Sequence, residues 1–168
     1  MTINVNVAAR LAASLTIVAL GATVGLGGQT KESALQGVWQ AVEVTTTGPG
    51  AFVAKPQSNL TIFSGRYYSR TEIHSDQPRP MLPDWATATA DQLRAVWAPF
   101  VAEAGTFELR GDLLTIRPAV AKNPAGMGHG AFTVLSYKLN RNMLTLTTVR
   151  NQNGPSPDPS TIKLMRVE

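Results

Sequence analysis

The chain has 168 residues, with 15 Lys plus Arg against 11 Asp plus Glu, two His and no Cys; 43% of it is hydrophobic and only 15% charged. This length supports one domain of ordinary size, and the lack of cysteine removes disulfides, thiolate metal sites, iron–sulfur ligation and any cysteine nucleophile. The net charge of +4 comes without two adjacent Lys or Arg, so no phosphate-tracking stripe marks a nucleic-acid partner.

Residues 1–28 differ from the rest. Arg10 is the only cation of the first ten residues, 11–26 is an uncharged run of Ala, Leu, Ile, Val, Thr, Ser and Gly, and polar Gln29-Thr30-Lys31-Glu32 follows. That is the layout of a secretory signal, and the run is shorter than the roughly 20 residues a spanning helix needs. Cleavage is expected between Ala22 and Gly28, with a retained N-terminal anchor as the alternative. The organisation read from this is a signal peptide (or anchor) over 1–28 and one unit over 29–168. The mature protein is expected to be secreted or periplasmic, with no stable membrane span after processing.

From Gly37 onward, short stretches rich in Val, Ile, Thr, Tyr and Leu are separated by Gly, Pro, Asn and Asp, the pattern of an all-β chain. Strands are expected at 37–46, 59–64, 66–74, 104–110, 112–119, 131–140, 142–150 and 160–167. Period-2 alternation marks one buried face in Phe107/Leu109, Leu114/Ile116, Leu135/Tyr137/Leu139, Leu144/Leu146 and Ile162/Leu164. Between the third and fourth strands, Thr89 with Gln92 forms a capping box, and Leu93, Val96, Trp97 and Phe100 give an apolar stripe, so one short helix belongs there. Tight turns at Gly65, Gly111 and Arg141 alternate with long loops rich in Pro and Gly. In an up-and-down antiparallel meander alternate connections share a pole. The fold class is therefore an eight-stranded up-and-down barrel with one tight pole and one loop-rich mouth, in preference to a β-sandwich, whose crossovers break that alternation.

Leu35-Gln36-Gly37-Val38-Trp39 at the first strand and Arg166 in the last resemble the Gly-x-Trp start and late Arg of lipocalins. Phe63-Ser64-Gly65-Arg66-Tyr67-Tyr68-Ser69, Pro78-Arg79-Pro80, Pro99-Phe100, Gly105-Thr106-Phe107-Glu108 and Arg117 to Pro124 resemble, in order, a bacterial lipocalin-like domain family of calycin-type barrels. The resemblance implies the fold and small-molecule binding, and carries no catalytic residues; the lipocalin disulfide has no counterpart here. Both termini of the barrel fall at the tight pole, where Gly37, Trp39 and Arg166 are expected to close it, the guanidinium stacked on the indole.

Among residues able to carry chemistry, Arg66, Tyr68, Arg70, Glu72 and His74 share one face of the third strand and run toward the mouth. Charged strand residues more often face water, so a solvated outer face is the default for this row; turned inward, it makes a polar wall for the head group of an amphiphile. Arg79, Lys122, Asn123, Arg117 and Arg150 belong to the mouth, alongside Asp76, Asp84, Glu103 and Asp158, so the rim is mixed in sign. A metal at Glu72, His74 and distant His129 is disfavoured, because a strand and a glycine-rich loop would have to supply the ligands together. A triad of Ser75, Asp76 and His74 fails because neighbouring residues of an extended segment diverge. The expected function is cofactor-free binding of a small hydrophobic or amphiphilic ligand, its end anionic in one variant. Tyr68, Arg70, His74, Phe107, Arg117, Lys122, Asn123, Tyr137 and Arg150 are the binding candidates, without nucleic acid or metal. Two alternatives stand beside it: an isomerase, cyclase or hydrolase with Glu72 or His74 as proton carrier, and a solid barrel acting through its surface as an envelope or interaction protein.

Overall fold

In most of the strands apolar residues recur at every second position, and a strand turns such residues to one face; closing the sheet on itself puts that face inside. In the computed structural model, which describes residues 31–168 apart from 50, 55, 76 and 83, the order is α1 (Lys31–Leu35), β1 (Gly37–Thr46), β2 (Phe52–Ala54), β3 (Leu60–Ser64), β4 (Tyr67–Ile73), α2 (Ala90–Trp97), β5 (Phe100–Arg110), β6 (Leu113–Ala121), a 3-10 turn (Pro124–Met127), β7 (Thr133–Asn140), β8 (Met143–Asn151), β9 (Gly154–Pro155) and β10 (Ser160–Arg166). The leader expected over 1–28 and the rim acid Asp76 lie outside the described residues.

The strands run β1-β3-β4-β5-β6-β7-β8 as antiparallel neighbours, and β10 pairs with both β8 and β1, so eight strands close a barrel. Short β2 pairs with the end of β1 and short β9 with the end of β8. The tight turns hold Gly65, Gly111 and Arg141 with φ of 57°, 66° and 53°. At Arg141 a side-chain-bearing residue sits in the left-handed region that glycine occupies at the other two turns.

The tight pole is sealed by the segment that precedes β1. Leu35 and Trp39 are fully buried, and the Trp39 indole N–H donates to the Leu35 carbonyl at 2.9 Å. Trp39 and Arg166 are cross-strand partners, and the guanidinium lies 4.2 Å from the indole centroid. Its two terminal nitrogens donate to the carbonyls of Gln36 and Ala34. Those carbonyls, at and just beyond the end of α1, have no intrahelical donor. Lys31 and Gln36 reach further, donating to the carbonyls of Gly111 and Gly65 in two of the three turns. Gly37 has φ of 124°, and a Cβ there would stand 2.3 Å from the Glu168 carbonyl oxygen and 2.6 Å from Arg166 Nη1. The Gly-x-Trp spacing thus leaves room for the chain end to fold over the clasp.

Above this floor the interior is packed by Phe63, Phe107, Leu114, Leu135, Tyr137, Leu144, Leu146, Ile162 and Leu164, with Phe63 and Phe107 edge-to-face at 5.1 Å. Several boundaries differ from the sequence reading. β5 begins at Phe100, not 104, so Phe100 belongs to a strand and α2 stops at Trp97, which is half exposed. The capping box at Thr89 and Gln92 is present. α1, β2 and β9 are additions, each too short to leave a periodic signal. At Gly105, opposite the β6 bulge, a Cβ would stand 2.0 Å from the Arg117 carbonyl oxygen, so the close approach of β6 requires glycine there.

Arg166→Ala is expected to lower stability by about 2–3 kcal/mol, since two carbonyls lose a charged donor and the indole loses its cation. Urea denaturation measures it; an unchanged midpoint would mean that the clasp does not hold the floor.

Candidate polar site beneath the mouth

The inward phase of β4 carries Tyr68, Arg70 and Glu72. Tyr68 and Glu72 are buried, Glu72 to 1% exposure, so the solvated-face default for this row is overturned. The reason is registry. Tyr68 lies opposite Phe63 on β3, a core residue, and period-2 alternation then carries Arg70 and Glu72 inside as well. β5 contributes Glu103, directly across from Arg70, and β3 contributes buried Thr61. Glu103, expected on a rim loop, is a strand residue because β5 extends four residues further than its apolar pattern suggests. Extending the inward phase of Phe107 back through Gly105 is the signal that finds it; for Thr61 it is the same step back from Phe63.

Arg70 Nη2 stands 3.2 Å from Glu103 Oε1, and Arg70 Nε stands 3.8 Å from Glu72 Oε1. His74, at the rim and 31% exposed, shares a 2.6 Å hydrogen bond between its Nε2 and Glu72 Oε2. Five atoms of this group are buried without a hydrogen-bond partner: Thr61 Oγ1, Tyr68 Oη, Arg70 Nε, Glu72 Oε1 and Glu103 Oε1. All five residues border one interior void of about 20 Å³, the size of a single water. Glu103 also borders a cleft of about 220 Å³ at the mouth, together with Asn123, Thr133, Asn151 and Gln152, so the interior group and the open end meet at this carboxylate.

Burial works against ionising Glu72, but the His74 hydrogen bond and the Arg70 charge outweigh it and hold the carboxyl below its ordinary value of 4.5. Burial also opposes the charge on Arg70, and the two carboxylates reverse that, raising its pKa. Tyr68 is raised by burial first and the Glu103 charge second. Glu72 is thus shifted in the direction opposite to what a proton donor near neutrality needs, and its outer oxygen is already engaged by His74.

The remaining candidates do not converge here. Phe107 and Tyr137 are core residues, and the Tyr137 hydroxyl points to the tight pole, 3.4 Å from the Gly111 carbonyl. Lys122 donates to the carbonyls of Trp97, Ala98 and Phe100, which ties the end of α2 to β6. Asn123 caps the 3-10 turn through Ala125 N–H while bordering the mouth cleft. Arg117 and Arg150 stack on Phe132 on the outer wall. The binding candidates Arg70, His74, Arg117 and Lys122 therefore do not converge on one group: Arg70 faces into the barrel, His74 stands at the rim, Arg117 is on the outer wall and Lys122 is tied to the end of α2. His129 is exposed, and among the described residues no three His, Asp or Glu side chains group as a metal site. Among them, too, no helix is long and apolar enough to cross a membrane.

The fold is lipocalin-like in its own geometry: a closed eight-stranded antiparallel meander with a Trp–Arg clasp at the floor. The chain is similar to a lipocalin-like protein from Bacteroides uniformis, at 14% identity with a TM-score of 0.46, covering 79% of this chain and 98% of that one. It is also similar to an uncharacterized protein from Bacteroides eggerthii, at 14% identity with a TM-score of 0.43 and the same coverages. A redesigned β-barrel shares 13% identity with a TM-score of 0.42, over 82% of this chain and 95% of that one. No protein-family model and no curated protein matches the chain.

Because the folded-state pKa of Glu72 is lowered, its contribution to stability is present above the ordinary carboxylate value of 4.5 and is lost as the pH falls through the lower folded value. Glu72→Gln is expected to cost about 1–3 kcal/mol near neutrality by leaving Arg70 and His74 short of a partner, and much less in acid. Urea denaturation of both proteins across that range checks it; a pH-independent difference would remove Glu72 from the acid limb.

Proposed function

We propose that this chain is an exported lipocalin-like binding barrel that takes a small molecule through its loop-rich end. The ligand's polar end would rest against Glu103 and the group beneath it, and its apolar part in the mouth cleft beside Pro118, Ala131 and Phe132. The observation that carries this is the set of five buried polar atoms that make no hydrogen bond around one void, three of them (Arg70 Nε, Glu72 Oε1 and Glu103 Oε1) held only by ion pairs. Buried polar groups are ordinarily satisfied, and exceptions mark a bound water or a ligand position. Four of the five atoms are oxygens, two of them on carboxylates, and the one cation already stands between those carboxylates. The group recognised is therefore a hydrogen-bond donor, a hydroxyl or an amine, in place of the anionic end considered from sequence. Export rests on the leader-like composition of residues 1–28.

One observation favours a second reading. The interior void holds about 20 Å³, far below the several hundred Å³ that pockets for drug-sized ligands offer. This supports a solid barrel that works through its surface, the polar group then holding one structural water.

Purified mature protein, exposed to a lipid and metabolite extract and examined by native mass spectrometry, is expected to retain a hydroxyl- or amine-bearing species. Glu103→Gln should weaken that retention by about tenfold, the loss of one charged hydrogen bond. No retained species in either protein would favour the solid barrel. Fractionation of cells expressing the full chain should place a shortened protein outside the cytoplasm; full-length protein in the cytosol would remove the export reading.

A further inference from the structure

The outer wall carries two arginines that converge on one ring. The guanidinium carbons of Arg117 on β6 and Arg150 on β8 lie 5.6 Å and 4.9 Å from the centroid of Phe132. Neither forms an ion pair with a carboxylate among the described residues. Arg117 is outward by simple alternation from Leu114 and Ile116. Arg150 is not. Leu144 and Leu146 point inward, and continuing that phase would bury residue 150. The β7–β8 ladder shifts, however, so that Leu135 faces Thr148 while Val134 faces Arg150. The extra residue, Val149, is a bulge that turns Arg150 onto the outer face beside Arg117.

The arginines border a groove of about 390 Å³ between β5 and β8. Arg110 and Glu108 at its far side are in contact and offset one another, which leaves two uncompensated guanidiniums. Leu113 and Val149, 38% and 41% exposed, flank the groove with apolar surface. Two like charges held against one ring repel each other, and an anion bridging them removes that repulsion while accepting charge-assisted hydrogen bonds from both forks. Phe132, Leu113 and Val149 offer the surface for a ring or alkyl substituent on that anion.

We propose that this groove is a second binding site, separate from the interior polar group although Phe132 lines both the groove and the mouth cleft, for a phosphate ester: the tetrahedral oxyanion between Arg117 and Arg150, its apolar substituent along Leu113 and Val149. Phosphate esters reach such a site as soluble monoesters or as anionic lipid headgroups. The test titrates the purified protein with phenyl phosphate and with inorganic phosphate by NMR, and co-sediments it with phosphatidylglycerol vesicles. Saturable binding of phenyl phosphate, tighter than inorganic phosphate and weakened by added salt, is expected. Arg117→Gln and Arg150→Gln should each cost about tenfold, while Arg94→Gln on α2 changes nothing. Both groove arginines are exposed, so the variants should fold with unchanged unfolding midpoints. Vesicle binding lost in the same two variants would support the site with a lipid as its source. Saturable binding of none of the three probes, or affinity unchanged in the double variant, would overturn the proposal. Equal affinity for phenyl and inorganic phosphate would overturn its ester part.

Discussion

A barrel built from one chain has to join its first and last strands, and here the β1–β10 seam ends at the tight pole in the clasp between Trp39 and Arg166. The two residues face each other across the β1–β10 ladder, so pairing alone brings guanidinium and indole together. The same guanidinium then collects the carbonyls of Ala34 and Gln36, which fixes α1 under the barrel. The clasp thus ties the end of the seam to the floor. With the tight pole occupied by Leu35 and Trp39, any approach to the interior is left to the pole where the long connections cluster.

That polarity explains where charge is tolerated inside. The lower interior is hydrocarbon and aromatic; the upper interior holds an arginine, two glutamates, a tyrosine and a threonine. Burying such a group costs several kcal/mol per ion unless partners compensate, and here compensation is incomplete, since five polar atoms lack hydrogen bonds. A barrel selected for stability alone would fill these positions with apolar residues of matching volume. Their placement beside the mouth cleft, rather than at the floor, is what gives the group a functional reading.

Bulges do for the outer wall what alternation does for the interior. The offset at Val149 takes Arg150 out of the inward phase and sets it beside Arg117 and Phe132, while the β6 bulge presses its backbone over Gly105. Each inserts one residue, bends the strand and re-aims the side chains beyond it. Alternation, registry and these bulges together disperse the rim cations: Arg70 to the interior, Lys122 to the end of α2, Arg117 and Arg150 to the outer wall.

The order of amino acids suffices for the meander, the alternation of tight and long connections, the inward sets from Leu114 to Leu164 and the capped helix at Thr89, because each follows from local periodicity, turn chemistry or chain direction; the Trp39–Arg166 clasp was suggested by the lipocalin resemblance. Which face of β4 is buried was not legible there, since its Arg, Tyr and Glu residues carry no apolar bias and only registry with β3 decides it. Glu103 and Arg150 escaped for related reasons: one lies where a strand continues beyond its apolar signal, the other beyond a bulge, and alternation counted along a single strand registers neither. Cross-strand pairing is a property of two segments at once, so it took the folded barrel to establish which charges meet inside and which stand on the outer wall.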